Sequence, residues 1–220
     1  MKFTEYDKAI MIGLLLGDGY IDPRGQIQIC HGDKQRDYCT YKARLLHSVT
    51  GGKEIKVHTL KKIFKYTTRK GVYKEVESIN HRFKRQSKSF MYFRELLYKN
   101  GRKTITSEVL NLISPISIAL WWMDDGCLTE KYTYRNNERI KCGYTLRLYT
   151  YLTKKENELI REYFINRYNM IWNVVPADNP KDNTQWMLRC GVHEGRKFLN
   201  IIKDIVRKNV PTLSYKVIDI

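Results

Sequence analysis

Two acids stand 125 − 18 = 107 residues apart, about half of the 220-residue chain, in the same local grammar. Residues 12–21, IGLLLGDGYI, carry an apolar helical run into Asp18, which lies between Gly17 and Gly19. Residues 116–129, ISIALWWMDDGCLT, carry a second apolar run into Asp125 and Gly126. A carboxylate at a helix C-terminus faces the negative end of the macrodipole, which disfavours its charge by a few tenths to about 1 kcal/mol. Something positive must accompany it. One Gly-Asp-Gly is an ordinary way to end a helix, with glycine supplying a positive φ. The second copy, half a chain away, is what turns the reading toward chemistry.

The elements around these acids recur in the same order. Thr4-Glu5-Tyr6-Asp7 has the form of a capping box that starts the first helix. GQIQICHG alternates Gln26 and Gln28 with Ile27 and Ile29, as a strand with one face in the core does. RDYCTYKARLLHSVTGG is helical and stops at Gly51, extended runs cover Lys53 to Leu60 and Val72 to Asn80, and KSFMYFRELLYKNG is a helix ended by Gly101. Pro115 opens the second apolar helix, KCGYTLRLYT is a strand, KKENELIREYFINRYN a helix, TQWMLRCG a strand and EGRKFLNIIKDI a helix. The pattern predicts an α+β fold in which helices cover one face of mostly antiparallel strands. The other face is then free.

That face is basic. The 40 Lys and Arg against 23 Asp and Glu leave a net charge of +17, which suits a polyanionic partner, nucleic acid first. The candidates in or beside the strands are Arg24, Gln26, Gln28, Lys61, Arg69, Lys74, Arg135, Lys141, Thr145, Arg147, Gln185 and Arg189. Arginine and glutamine forks match the major-groove edges of guanine and adenine. No membrane partner is expected, because no 18-residue apolar run is present. The acids Glu5 and Asp7 precede the first apolar run, unlike a secretory signal. The expected location is therefore intracellular, in an organelle that encodes the protein (mitochondrion or chloroplast) or in a prokaryotic cytoplasm. Five cysteines at 30, 39, 127, 142 and 190 lack zinc-site spacing and read as reduced thiols. The five histidines show no nucleophile-base pattern, and none falls in either acid motif.

MIGLLLGDG (11–19) and IALWWMDDG (118–126) resemble the two motifs of the monomeric LAGLIDADG homing endonucleases, and the order of elements fits over nearly the whole chain. The resemblance implies two pseudo-symmetric α-β-β-α-β-β-α halves, residues 1–100 and 115–220, joined by a segment at 101–114. Each half carries a four-stranded DNA-binding sheet. The two motif helices pack side by side at the junction, with Gly13, Gly17 and Ala119 as the small interface residues and Leu120 departing from the small-residue pattern.

Parallel packing then brings Asp18 and Asp125 together as an anionic site that suits divalent metal. The resemblance implies two or three Mg²⁺ ions, with Mn²⁺ substituting and Ca²⁺ supporting binding without cleavage. The implied metal set is Asp18 and Asp125, with Gly17 and Asp124 beside them, Asp124 serving as a cap or hydrogen-bond partner rather than as the main ligand. Lys103 and Lys216 match the basic residues that the family keeps near the metals. The implied activity is metal-dependent hydrolysis of both strands of a double-stranded DNA target of about 20 base pairs, read across two helical turns. Short 3′ overhangs and an intron-encoded gene go with it. A group I intron RNA maturase and a regulator built on a decayed copy of the fold are the alternatives.

Overall fold

A computed structural model describes residues 2–68, 71–178 and 184–219. Its first helix, α1 (Glu5–Leu16), begins at a reciprocal cap: the Thr4 hydroxyl accepts from the Asp7 N–H at 3.1 Å, and the Asp7 carboxylate accepts from the Thr4 N–H at 2.9 Å. The strands β1 (Tyr20–Ile21) and β2 (Gln26–Gly32), the helix α2 (Arg36–Thr50), the strands β3 (His58–Thr67) and β4 (Tyr73–Gln86) and the helix α3 (Met91–Leu97) follow. Pro115 sits in the first turn of α5 (Pro115–Asp125), where its missing N–H has no partner to lose. After it come β7 (Gly126–Arg135), β8 (Glu138–Leu152), α6 (Lys154–Tyr168), β9 (Asn173–Pro176), β10 (Trp186–Gly191) and α7 (Val192–Asn209). A hairpin of β5 (Tyr98–Lys99) and β6 (Arg102–Lys103) and the short helix α4 (Ser107–Asn111) stand between the two runs.

The sheets have the orders β1-β2-β4-β3 and β7-β8-β10-β9, with antiparallel pairing throughout. This is the expected α+β architecture, with the same topology in both sheets. Ala9 to Leu16 are buried without a break, as are Ile116 to Met123, so α1 and α5 are enclosed on all sides and form the centre of the molecule. They run parallel, since their contacts advance together: Ser117 Oγ donates to the Ala9 carbonyl, Gly13 faces Ser117 and Leu120, and Gly17 faces Asp124. A Cβ on Gly13 would lie 2.7 Å from the Ser117 Cα, so the absence of a side chain sets how closely the helices approach. The expected asymmetry is present as Leu120 against Gly13. The α5 groups nearest to Gly13 belong to Ser117 and Leu120, and Ala119 between them is fully buried.

Three local expectations change. The strand expected from Lys53 begins instead at His58, because Gly51 and Gly52 both have positive φ and the Arg85 guanidinium ties the carbonyls of Gly51 and Lys53. The third helix ends at Leu97, not at Gly101; Asn100 and Gly101, at φ 52° and 75°, form a two-residue hairpin turn. That turn sends Lys103 back toward the end of α1. Finally, Gly17 and Gly19 are not required for positive φ: a Cβ on Gly17 would lie 2.1 Å from an Asp124 carboxylate oxygen, and one on Gly19 would lie 2.1 Å from the Leu14 carbonyl. Close approach selects glycine at both positions.

Candidate active site at the paired helix ends

The positive partners that the helix ends require are two lysines. Lys103 Nζ donates to the Gly17 carbonyl at 2.7 Å and lies 3.3 and 3.4 Å from those of Gly19 and Leu16. Lys216, in the 3₁₀ turn Pro211–Lys216, donates to the Met123 carbonyl at 2.7 Å and lies 3.4 Å from that of Asp124. Each motif helix thus has one ammonium on its unpaired carbonyls, where the macrodipole favours a cation. The loop that carries Lys216 is fixed by Trp122, whose indole N–H donates to the Lys216 carbonyl at 2.9 Å.

Asp18 follows the end of α1, and Asp125 is the last residue of α5. The Asp18 side chain is half-exposed. Burial raises its carboxyl above the usual range, as does the charge of Asp124, while Lys42, Lys103 and Lys216 pull it down. The Asp125 carboxyl is pushed up to about 7, first by burial and then by the charges of Asp124 and Asp18. An open cleft of about 520 Å³ lies on this side, lined by Gly17, Lys103, Asp125, Tyr149, Tyr151 and Gln185.

The third acid has another task. Both carboxylate oxygens of Asp124 lie 2.6 Å from Lys42 Nζ, and one also accepts from the Asp18 N–H at 3.0 Å. Neither the Lys42 nor the Asp124 side chain is exposed. Asp124 is thus engaged by Lys42, and the Gly17 carbonyl accepts Lys103; of the other two acids, Asp125 lines the cleft and Asp18 is half-exposed.

Sequence reasoning missed two residues here. His31 points inward from β2, with Nδ1 3.0 Å from Gln35 Oε1 and 3.5 Å from Asp18 Oδ2. Burial and the Lys42 charge hold the imidazole down to about 4, so it is neutral at pH 7. Its parity with Ile27 and Ile29 was the available signal, since a histidine on the apolar side of a strand is pointed at something. Lys42 lies in the inward stripe of α2 with Cys39, Ala43 and Leu46, and an ionisable residue in such a stripe signals a buried partner. Asp18, His31 and Asp124 each place one ligand-type atom within 4.8 Å of the others, but both Asp124 oxygens are engaged by Lys42.

The sheets sort the candidate nucleic-acid contacts by face. Ile27, Ile29 and Phe83 face the core, so Gln26, Gln28 and, on β4, Lys74 share the opposite face with Arg82 and Lys84. Lys61 is a correction: it pairs with Ile79 on the same face of the ribbon as Phe83, 3.5 Å from Glu77. Arg147, Arg189 and Thr145 share the outward face of the second sheet, although neighbouring side chains bury Thr145. Lys141 is the second correction. A bulge between Lys131 and Tyr132 turns it to the face of Leu146 and Leu148, where it bonds Glu130 and Tyr144. Arg135 is exposed at the tip of the β7–β8 hairpin. Gln185 lines the cleft beside Asp125. Arg24 is held by Asp22, and Arg147 by Asp178 at 3.0 Å. Arg69 lies outside the described residues.

Comparison with known proteins points one way. The model of the LAGLIDADG DNA endonuclease family matches residues 8–198. A solved structure described as the homing endonuclease I-WcaI bound to its DNA recognition sequence superposes with a TM-score of 0.71 at 19% identity, over 99% of this chain and 88% of that one. At that identity the likeness shows the fold. Proteins named Protein RecA from Mycolicibacterium flavescens and Mycolicibacterium chitae are 24% and 25% identical over 144 and 134 residues. Each match takes in 58% of this chain and 27% of the relative, so the chain spans about a quarter of those proteins' length.

Proposed function

The chain belongs to the LAGLIDADG DNA endonuclease family, and on that premise we propose that it is a site-specific endonuclease that hydrolyses both strands of a long, asymmetric DNA duplex with divalent metal. One observation carries the reading. Two parallel helices end side by side in Asp18 and Asp125, each helix end holds one lysine, and two sheets of the same topology flank them.

The donor chemistry fits a hard divalent cation. Burial and the charge of Asp124 penalise the charged forms of Asp18 and Asp125, with Asp18 adding to the penalty at Asp125, and a cation would relieve it. Asp18 and Asp125 are the residues that would hold it. Bound Mg²⁺ supplies charge neutralisation and an acidified water for phosphodiester hydrolysis. Lys103 and Lys216 hold the two helix-end carbonyl sets and keep positive charge where the scissile phosphates develop negative charge. The Asp124–Lys42 pair holds the Asp18 backbone, and neutral His31 lies 3.5 Å from the Asp18 carboxylate. The outward faces, through Gln26, Gln28, Lys74, Arg147 and Arg189, read successive major grooves of a target of about 20 base pairs. Cleavage across the intervening minor groove to leave short 3′ overhangs, two or three Mg²⁺ ions, action as a monomer and intron encoding belong to the same proposal.

The test is selection of a cleaved duplex from a random plasmid library, with Mg²⁺ and with Ca²⁺, for wild type, Asp18→Asn and Asp125→Asn. Double-strand cuts at one long site with Mg²⁺, abolished by either substitution while binding with Ca²⁺ survives, support the proposal. Cutting that persists in both variants overturns the assignment of the two acids, and binding without cutting under any divalent metal overturns the nuclease.

A further inference from the structure

We propose that Tyr151, backed by Tyr149, is an aromatic platform on which a base of the distorted target duplex stacks beside Asp125; this rests on the endonuclease reading.

The backbone is the first observation. β8 pairs Leu148 with Leu188 and next Leu152 with Trp186, so Tyr149, Thr150 and Tyr151 occupy a span that β10 covers with Met187 alone. The strand bulges there, as strands do where a side chain is re-aimed near a site. Thr150 anchors the bulge inward, its hydroxyl lying 2.7 Å from Asn157 Oδ1 and 3.0 Å from the Trp186 carbonyl. Tyr151 takes φ 51°, and the other described non-glycine residues at positive φ are asparagines: Asn100, Asn136, Asn137 and Asn169. Asparagine tolerates this region, whereas a tyrosine there is strained and a glycine would not be.

The strain does not serve the core. Tyr151 is 45% exposed, and its ring stacks on that of Tyr149 at 5.9 Å and 24°. Tyr149 is in turn fixed by its hydroxyl, which donates to Asp178 at 2.9 Å. Both rings line the cleft that contains Asp125, Arg102 and Lys103. An aromatic pair whose outer ring is exposed, beside cations and an acid, has the composition of a surface that stacks a nucleic-acid base.

Among the described residues, the other half has no matching bulge. Leu128 pairs with Leu146 as Ile21 pairs with Ile27, an offset of 146 − 27 = 119 between β2 and β8. The match ends at Leu148, because β2 pairs with β4 residue for residue from Gln26 to Gly32, so the bulge that carries Tyr151 has no counterpart there. The platform is one-sided, which suits an asymmetric target whose central base pairs open unequally on bending.

The experiment uses the duplex that wild type itself selects and cuts with Mg²⁺. Single-turnover cleavage and melting temperature are measured for Tyr151→Ala, Tyr151→Gly and Tyr151→Phe, on that duplex and on copies carrying one mismatched pair at each position between the two cuts. Tyr151→Ala and Tyr151→Gly slow cutting of the matched duplex about tenfold. Tyr151→Phe recovers the greater part of that loss, and Tyr151→Gly melts no lower than wild type. A mismatch at one position restores the alanine variant, because the base is already unstacked. Wild-type cutting by Tyr151→Ala overturns the platform alone, as does an equal slowing on every duplex, which marks a structural role. Failure of wild type to cut any duplex overturns the endonuclease reading and the platform with it.

Discussion

The Lys42 ammonium lies 2.6 Å from both carboxylate oxygens of Asp124, and neither side chain is exposed. Asp124 also accepts the Asp18 N–H, so a residue of α2 fixes the backbone at the end of α1 through an acid of α5. Lys42→Met removes the ammonium bonded to a carboxylate that cannot reach water. It is expected to cost about 3–5 kcal/mol in urea unfolding, because an uncompensated buried charge remains. The double variant Lys42→Met/Asp124→Leu is expected to recover most of that, since well-packed apolar replacements of buried pairs are often neutral. A single-variant cost below about 1 kcal/mol would show that the pair is not the anchor described.

Asp125 makes stability depend on pH in a definite direction. Its folded carboxyl titrates at about 7 rather than near 3.8, so the folded chain holds a proton that the unfolded chain releases, and stability falls as pH rises from about 4 to about 7. His31 has the opposite sign: held down to about 4, it costs stability as pH falls through its ordinary value near 6.5. The wild-type profile mixes the two, and Asp125→Asn separates them. In chelator, the variant's melting temperature is expected to exceed that of wild type by more at pH 8 than at pH 5. A constant difference would contradict the crowding of acids at the helix ends.

The helix crossing gives a third expectation. A methyl on Gly13 would sit 2.7 Å from backbone at Ser117, so Gly13→Ala must push α1 and α5 apart, at about 1–3 kcal/mol. Gly32→Ala is the control, with φ −69° and open space around the new Cβ. It is expected to leave stability unchanged or raise it by up to about 1 kcal/mol. Equal effects of the two changes in thermal unfolding would remove the argument that glycine at 13 sets the distance between the halves.

What could be read from the chain was what local physics repeats. The capping box at Thr4, the proline start at Pro115 and the alternation from Gln26 to Ile29 are each set by neighbours in sequence, and each stands in the structure. The outer β3–β4 ribbon gave a weaker signal because almost every residue of His58–Thr67 and of 73–77 is exposed, so no alternation marks its faces. Lys61 and Lys141 were placed by proximity to strands, yet facing depends on register, and the bulge beside Tyr132 inverts it for Lys141. His31 and Lys42 carried a legible oddity, an ionisable group on an apolar stripe, but the partner of Lys42, Asp124, is 82 residues away and no spacing rule reaches that far. The lysines at 103 and 216 gave their type and region, whereas the Asn100–Gly101 turn that aims Lys103 was mistaken for a helix end.

The face assignments make the last prediction, and duplex binding measured against salt concentration checks it. Each phosphate contact made by a lysine or arginine contributes about 0.9 to the slope of log affinity on log salt. Lys74 and Arg189 lie on the outward faces with Gln28 and Arg147, so Lys74→Ala and Arg189→Ala are each expected to lower affinity and flatten the slope by about one. Lys61 and Lys141 carry the same charge but point to the other faces, toward Glu77 and Glu130. Lys61→Ala and Lys141→Ala remove one charge from the general field and are expected to leave the slope within a few tenths of wild type. If all four substitutions flatten the slope alike, the charge acts as a diffuse cloud and the sheets have no reading face. If only the outward pair does, the two sheets are the surface through which the duplex reaches Asp18 and Asp125.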